Sequence, residues 1–339
     1  MSTPGTPHRG GQASERLVMV EQRGGASANG NGHASGAPYI LDRHGRRTQG
    51  HDDGRRTEEL REGLTRDARV VPLAAGTDDE RLHEVLSAIH DPSYLQTLRA
   101  VDWDDPRIVP ELAPPGLPAD SPLWASIVDV AFEGARAAVA AADAIADGER
   151  FVYALSRPPG HHAGPAWLGG YCYLNTAAAA AQALCERRMG PVAIVDVDFH
   201  FPTGTAAIVA PMEEVRLGSL HASTLAEVPW REVEPRADER FIGFDSAPFE
   251  GPYLRALEQM LEEFAQTCST LVLSLGYDTV RTDPHGSWRF MPMAFERIGA
   301  LVADTGLPVC VVQEGGYSLV ALAECAWAFV TGLLDGWVE

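Results

Sequence analysis

From Pro38 onward the chain alternates short apolar runs, rich in β-branched residues, with longer stretches whose apolar residues recur every three or four positions. That alternation is the signature of parallel strands joined by crossover helices. The short runs predict strands at 70–73, 151–155, 192–198, 215–220, 270–275 and 309–313. Their near-continuous hydrophobicity suits a sheet covered on both faces. The longer stretches predict helices at 56–64, 79–89, 124–146, 176–187, 253–267, 294–305 and 320–334. The expected fold class is α/β, a single domain with a central, mostly parallel sheet flanked by helices.

Two stretches depart from this pattern. Residues 1–36 carry a Gly, Ser, Asn and Ala bias and read as a flexible N-terminal segment, which leaves 37–339 as the folded domain. Within that segment the four apolar residues Leu17, Val18, Met19 and Val20 could instead form a short buried strand, and the pattern does not decide between the two. The Pro-rich stretch 103–123 reads as a long surface loop, a length uncommon unless a loop is functional or disordered. No internal repeat is visible. The Ala-rich helix after Asn175 reads as a packing element.

Composition changes this picture little. With 339 residues, 45% hydrophobic and 22% charged, the chain is long enough for a sizeable core and has the balance of an ordinary globular protein. A formal net charge of −20 excludes a nucleic-acid backbone as a natural partner and tolerates a cationic small molecule, although such a balance more often serves solubility alone. The five cysteines, Cys172, Cys185, Cys268, Cys310 and Cys325, include no C-x-x-C pair and read as free thiols of a reducing cytoplasm. The N-terminus shows no apolar signal region and no segment has the length of a membrane span, so a cytoplasmic location without membrane partners is expected.

Ligands bind open parallel α/β sheets beyond the carboxyl ends of the strands, which directs attention to four segments. They are RPPGHHA (157–163), DVDFHFPTGT (196–205), GYDTVRTDP (276–284) and EGGY (314–317). If the predicted strand 192–198 continues, Asp196, Asp198 and His200 lie two apart and face one side. Carboxylates and imidazoles are zinc donors, and Asp278, after another strand, is the natural third ligand of a catalytic site that keeps one position for water. Taken alone, an Asp-x-His at a strand end is more often a cap or turn. His161 and His162 suit proton transfer, because imidazole titrates near neutrality, and the competing reading is an exposed loop or two satisfied core histidines. Tyr317, after Gly315 and Gly316, could bring a phenol donor to a developing oxyanion or could simply pack at a strand end.

The segments RPPGHHAGPAWLGGYCYLN, VAIVDVDFH, LSLGYDTVRTDP and EGGY occur in the order and spacing of the arginase/deacetylase superfamily, with weaker similarity in QGHDDGRRTEELREGL and IHDPSYLQTL. The chain resembles bacterial acetylpolyamine amidohydrolases and histone deacetylase-like amidohydrolases over about residues 38–334. The resemblance implies a deacetylase-like catalytic domain that hydrolyses a linear amide, with Zn2+ (or Fe2+ or Co2+) on Asp198, His200 and Asp278. It implies His161 and His162 as the catalytic histidine pair, Tyr317 polarising the scissile carbonyl and Asp196 orienting His161. A structural K+ would sit on Asp196 with backbone oxygens of Asp198, His200, Ser219 and Leu220. Gly170 would accept the substrate amide N–H, and Tyr171 would wall the tunnel. The substrate expected is a small cationic amide such as an acetylpolyamine, and the assembly suggested by such enzymes is a homodimer.

The chain departs from the family pattern at Phe201-Pro202-Thr203, where a histidine, a glycine and an Asn or Asp normally follow the metal histidine. Thr203 offers His162 only a neutral hydroxyl. Val228, with Trp230 nearby, stands where the family carries an aromatic, which would widen the tunnel. Competing readings are a protein acyl-lysine deacylase, a specialised biosynthetic amidohydrolase, and a zinc-containing fold that binds a ligand without turnover. Glu111 and Asp120, in the 103–123 stretch, are candidate acidic residues at the tunnel mouth.

Overall fold

A computed structural model describes residues 16–22, 38–42, 44–223 and 233–336. Its centre is an eight-stranded sheet in which every strand pairing is parallel. The strands are β1 (Leu17–Glu21), β4 (Val70–Ala74), β5 (Phe151–Leu155), β6 (Val192–Asp196), β7 (Val215–Ala222), β8 (Arg240–Phe244), β9 (Thr270–Leu275) and β10 (Val309–Gln313), in the spatial order β4-β1-β5-β10-β9-β6-β7-β8. A small antiparallel ribbon, β2 (Tyr39–Leu41) with β3 (Arg47–Gln49), precedes the first helix.

Alternation along each strand divides the core in two. Val152, Ala154, Val192 and Ile194 feed one face, covered by α2 (Asp79–Ile89), α3 (Pro92–Arg99), α4 (Ala125–Ala146), α5 (Thr176–Glu186) and the short α6 (Thr203–Val209). Phe151, Tyr153, Ala193 and Val195 feed the other, covered by α1 (Gly54–Thr65), α7 (Glu250–Ala265), α8 (Met293–Asp304) and α9 (Leu319–Asp335). Helix α2 shows how local sequence sets an element. Asp78 caps it by accepting the Arg81 N–H, Asp79 and Glu80 complement the helix dipole, and Leu82, Val85, Leu86 and Ile89 form its buried stripe. Asp91-Pro92 then starts α3 at once, with the Asp91 side chain as its cap.

The α/β architecture expected from the pattern is present, with three corrections. Leu17–Glu21 is a strand inside the sheet, flanked by β4 and β5 and with Leu17, Met19 and Val20 fully buried, so the folded domain begins before residue 37. An apolar run of four outweighed the polar composition around it, because burial between two neighbouring strands satisfies both its side chains and its backbone. The remainder of the 1–36 segment falls largely outside the described residues. Secondly, 103–123 is more than a surface loop. It contains a 3-10 turn (Pro110–Leu112), a bridge between Arg107 and Leu123, and buried Leu112 and Leu123. Thirdly, the strand expected at 192–198 stops at Asp196. Among the described residues no helix is long and apolar enough to cross a membrane, and the five cysteines are free thiols.

Candidate metal centre and cleft

The four segments singled out above follow β5, β6, β9 and β10, which are four adjacent strands at the middle of the sheet. Because all run parallel, their carboxyl ends deliver these segments to one edge. Asp198 and His200 do not reach it by strand alternation. Beyond Asp196 the chain turns, and side chains hold the turn: Asp198 N–H donates to Asp196 Oδ1 (3.1 Å), His200 N–H to Asp198 Oδ1 (2.9 Å) and Phe199 N–H to Asp278 Oδ1 (2.9 Å). Asp196 is not part of the cluster that Asp198 and His200 form with Asp278, and lies 3.2 Å from His161 Nδ1.

Asp198, His200 and Asp278 each place a donor atom within 4.8 Å of the others. His200 Nδ1 is 3.2 Å from Asp198 Oδ1 and 3.1 Å from Asp278 Oδ2. Close packing of backbone makes this possible, since a side chain at Gly276 or Gly315 would collide with Asp198 Oδ2. Burial, then the charge on Asp198, pushes Asp278 above the carboxylate range, while His161 and His200 hold Asp198 well below it despite burial. His200 is raised to about 9, the hydrogen bonds to Asp198 and Asp278 overcoming its own desolvation. Two buried carboxylates thus retain a proton on the imidazole between them. A divalent cation fits that place, with the oxygen and nitrogen donors that zinc takes.

His161 and His162 stand beside this cluster, their ring centroids 4.1 Å apart, and His162 lies 5.7 Å from the His200 ring. Their loop is tied on two sides. Glu314 Oε2 accepts the N–H groups of Gly160 (2.7 Å) and His161 (3.0 Å), and Asn175, the cap of α5, donates from Nδ2 to the Ala163 carbonyl (2.9 Å). Burial disfavours a charged His161, but Asp198 and Asp196 prevail and raise it to about 10. Burial, then the charges of His161 and His200, pushes His162 well below its ordinary value. The pair is therefore split into one imidazolium and one neutral ring, the arrangement acid–base chemistry requires.

Tyr317 closes the cleft. Its N–H donates to Asp283 Oδ2 (2.6 Å), Gly315 N–H donates to Asp198 Oδ2 (2.9 Å), and the buried Arg56 guanidinium lies 4.5 Å over the Tyr317 ring. Arg56 Nε and Nη2 also donate to the carbonyls of Gly316 and Glu314, each at 2.6 Å. Burial pushes the Tyr317 hydroxyl well above its ordinary value, so it remains a hydrogen-bond donor. Tyr171 packs against Tyr317 with centroids 5.5 Å apart, and both Gly170 (φ 57) and Tyr171 (φ 66) sit in the left-handed region. Gly170 N–H donates to Asp120 Oδ1 (3.0 Å), which brings Asp120 to this wall.

Other expected residues fall as follows. Ser219 is level with Asp196 across the β6–β7 pairing, and Leu220 follows it. Phe201 points away from the cleft into the core, against His221 and Phe241, and Thr203 Oγ1 donates to the Phe201 carbonyl at 3.4 Å. Val228 and Trp230 lie outside the described residues. Sequence reading missed Asp52, Arg56, Asp283 and Ser274, whose Oγ donates to Asp196 Oδ2 (2.6 Å), because their roles depend on partners far along the chain. Glu314 and Asp283 at least lie within segments already singled out.

With this geometry established, the chain can be compared with known proteins. The histone deacetylase domain matches residues 53–333. The chain belongs to the histone deacetylase family. Over 285 residues it is 32% identical to an acetylpolyamine amidohydrolase of Burkholderia pseudomallei, spanning 73% of this chain and 82% of that protein. It is 35% identical over 214 residues to acetylpolyamine amidohydrolase 1 of Pseudomonas aeruginosa, a match spanning 60% of this chain and 61% of that one. A crystal structure of an acetylpolyamine aminohydrolase from Burkholderia pseudomallei matches with a TM-score of 0.79 at 28% identity, covering 93% of this chain and 98% of the other. Enzymes of the histone deacetylase family are hydrolases that act on acetylated amines.

Proposed function

We propose that this chain is a zinc-dependent amidohydrolase that removes an acetyl or other acyl group from a primary amine of a small cationic substrate such as an acetylpolyamine. The observation that carries this reading is the meeting, at one sheet edge, of Asp198, His200 and Asp278 with a split-charge histidine pair and a protonated tyrosine. Asp198, His200 and Asp278 would hold zinc, and Fe2+ or Co2+ suits the same donors. When bound, the ion supplies Lewis-acid polarisation of the amide carbonyl and makes water a competent nucleophile near neutral pH.

The chain's own residues do the rest. His162, neutral and buried, accepts the water proton on its imidazole. His161 keeps its charge beside Asp196, so the pair holds a proton to return to the leaving nitrogen. The Tyr317 hydroxyl donates to the oxyanion as the carbonyl becomes tetrahedral, its backbone fixed by Asp283 and its ring by Arg56. Tyr171 walls the acyl side of the cleft and the Gly170 carbonyl receives the substrate amide N–H. A structural potassium ion on Asp196 and the backbone of Asp198, His200, Ser219 and Leu220 belongs to the same reading. The products are a carboxylate and a free primary amine.

Zinc-loaded protein should release amine from a panel of acetylated polyamines, acyl-lysine peptides and longer N-acyl amines, followed by mass spectrometry. Tyr317→Phe should lower kcat by roughly 100- to 1,000-fold. Stoichiometric zinc with no release from any amide would sink the hydrolase reading in favour of a ligand-binding role.

A further inference from the structure

Tyr171 holds a backbone conformation that bulky residues avoid. Gly170 (φ 57) and Tyr171 (φ 66) are consecutive left-handed residues at the centre of a tight turn, closed by Gly169 N–H to the Cys172 carbonyl (3.1 Å) and Cys172 N–H to the Gly169 carbonyl (2.9 Å). Turns with two left-handed centres favour Gly, Asn or Asp at both, so a tyrosine there is strained. Such strain persists only where surrounding groups fix it, and the 103–123 stretch supplies them. Gly170 N–H donates to both oxygens of Asp120 (3.0 and 3.2 Å), Tyr171 N–H to Ser121 Oγ (2.8 Å), and Ser121 Oγ to Asp120 Oδ1 (2.8 Å). Ser121 is fully buried, and its neighbours are held in turn, Leu41 N–H donating to the Asp120 carbonyl (2.8 Å) and Tyr173 Oη to the Pro122 carbonyl (2.7 Å).

These contacts aim one carbonyl. The Gly170–Tyr171 peptide is trans, so its N–H and C=O point in opposite directions. With the Tyr171 N–H turned to Ser121 Oγ, the Gly170 carbonyl is turned away from Ser121. Cys172 Sγ lies 3.5 Å from the Gly170 oxygen, and the same sulfur is within 4.8 Å of a His161 ring nitrogen, so this carbonyl stands on the side of the reacting centre. A thiol is a weak donor, and the Gly170 oxygen keeps its capacity for a stronger N–H. Removing the Ser121 hydroxyl would leave the Tyr171 N–H buried without its acceptor. The peptide plane would then turn toward another one and carry the Gly170 carbonyl with it.

We propose that Ser121 is a positioning residue that aims the Gly170 carbonyl at the N–H of the scissile amide, so that its contribution to turnover is confined to amide substrates. This rests on the amidohydrolase reading above and adds the residue that orients its substrate contact. The test uses the acetamide and the acetate ester of one trimethylammoniobutyl chain, which share length, charge and acyl group, while the ester has no N–H. In zinc-loaded protein Ser121→Ala should lower kcat/KM for the acetamide by roughly tenfold and leave the ester within about twofold of wild type. Ser121→Cys, which keeps a weak acceptor in a similar shape, should fall between wild type and Ser121→Ala on the acetamide. An equal loss on both substrates would mark a general disturbance of the cleft, and no loss on either would leave the hydroxyl without a role in turnover; each result overturns the proposal.

Binding separates this role from the hydrolase reading. If wild type cleaves neither substrate, that reading fails, and calorimetry of the zinc-loaded protein then compares the acetamide with its N-methyl form, which has no N–H. Tighter binding of the N–H form to wild type, with the difference lost in Ser121→Ala, still supports the positioning role, and a difference that the variant retains overturns it. Equal binding of the two forms to wild type, or none, overturns it whether or not either variant folds.

Discussion

The EGGY segment has a buried anionic centre on each side, and the two are neutralised differently. On one side Asp52, 1% exposed, is met by the guanidinium groups of Arg56 and Arg157, the latter at 3.2 Å. Arg56 spends its other N–H groups on the carbonyls of Glu314 and Gly316, so that centre is complete within the chain. On the other side Asp198 and Asp278, both fully buried, are met by imidazole and backbone amides rather than by a guanidinium. Desolvating a carboxylate costs several kcal/mol unless a charge or hydrogen bonds compensate it. A fold that answers this cost with two arginines at one centre and only a shared proton at its neighbour leaves the first complete and gives the second the donor set that the proposed zinc would occupy.

The largest effect is expected from the second centre. Asp278→Asn should leave less than stoichiometric zinc by elemental analysis and lower amine release by at least about 1,000-fold, with the fold retained by circular dichroism. Full zinc and full turnover in that variant would break the comparison.

Arg56→Met addresses the first centre. Leaving Asp52 buried with one guanidinium should cost about 3–5 kcal/mol in urea unfolding, and adding Asp52→Asn should recover part of that loss. Zinc content should stay near stoichiometric in the folded fraction. A cost under about 1 kcal/mol would mean that Asp52 needs no second cation.

Asp120 sharpens the contrast with a third solution, in which it accepts from Ser121 Oγ and the Gly170 N–H. Burial pushes it from the ordinary 3.8 to about 6, although the hydrogen bonds from Ser121 and Gly170 oppose the rise. A carboxyl held above its unfolded value contributes stability in full below that value and loses it as pH rises through the folded one. Wild type should therefore lose stability relative to Asp120→Asn between about pH 4 and pH 6, on the order of 1 kcal/mol after solvent screening, and run parallel above. Thermal midpoints at pH 4.5 and 7.5 measure it, and a difference that ignores pH would place Asp120 in the ordinary range.

Much of the framework was legible along the chain because it is locally encoded. Fully buried parallel strands such as β9 and β10 show as unbroken apolar runs, and α2 shows its cap, its acidic first turn and its stripe. Strand β8 was not legible, since Arg240–Phe244 is an edge strand only partly buried and carries no such run. The approach of Asp198 to His200 was anticipated for the wrong reason: strand alternation ends at Asp196, and the turn beyond it is shaped by carboxylates that receive backbone N–H groups.

By itself the sequence determined the donor types, their positions at strand ends and the family to which the motifs belong. Only the tertiary structure decided that β5, β10, β9 and β6 lie side by side, because a parallel sheet need not place strands in chain order, and it alone paired His51 with His285 and Arg56 with the EGGY backbone. Those contacts join residues more than 200 positions apart and are dictated by the need to satisfy charges and polar groups once they leave water, a requirement that exists only after the chain has closed around them.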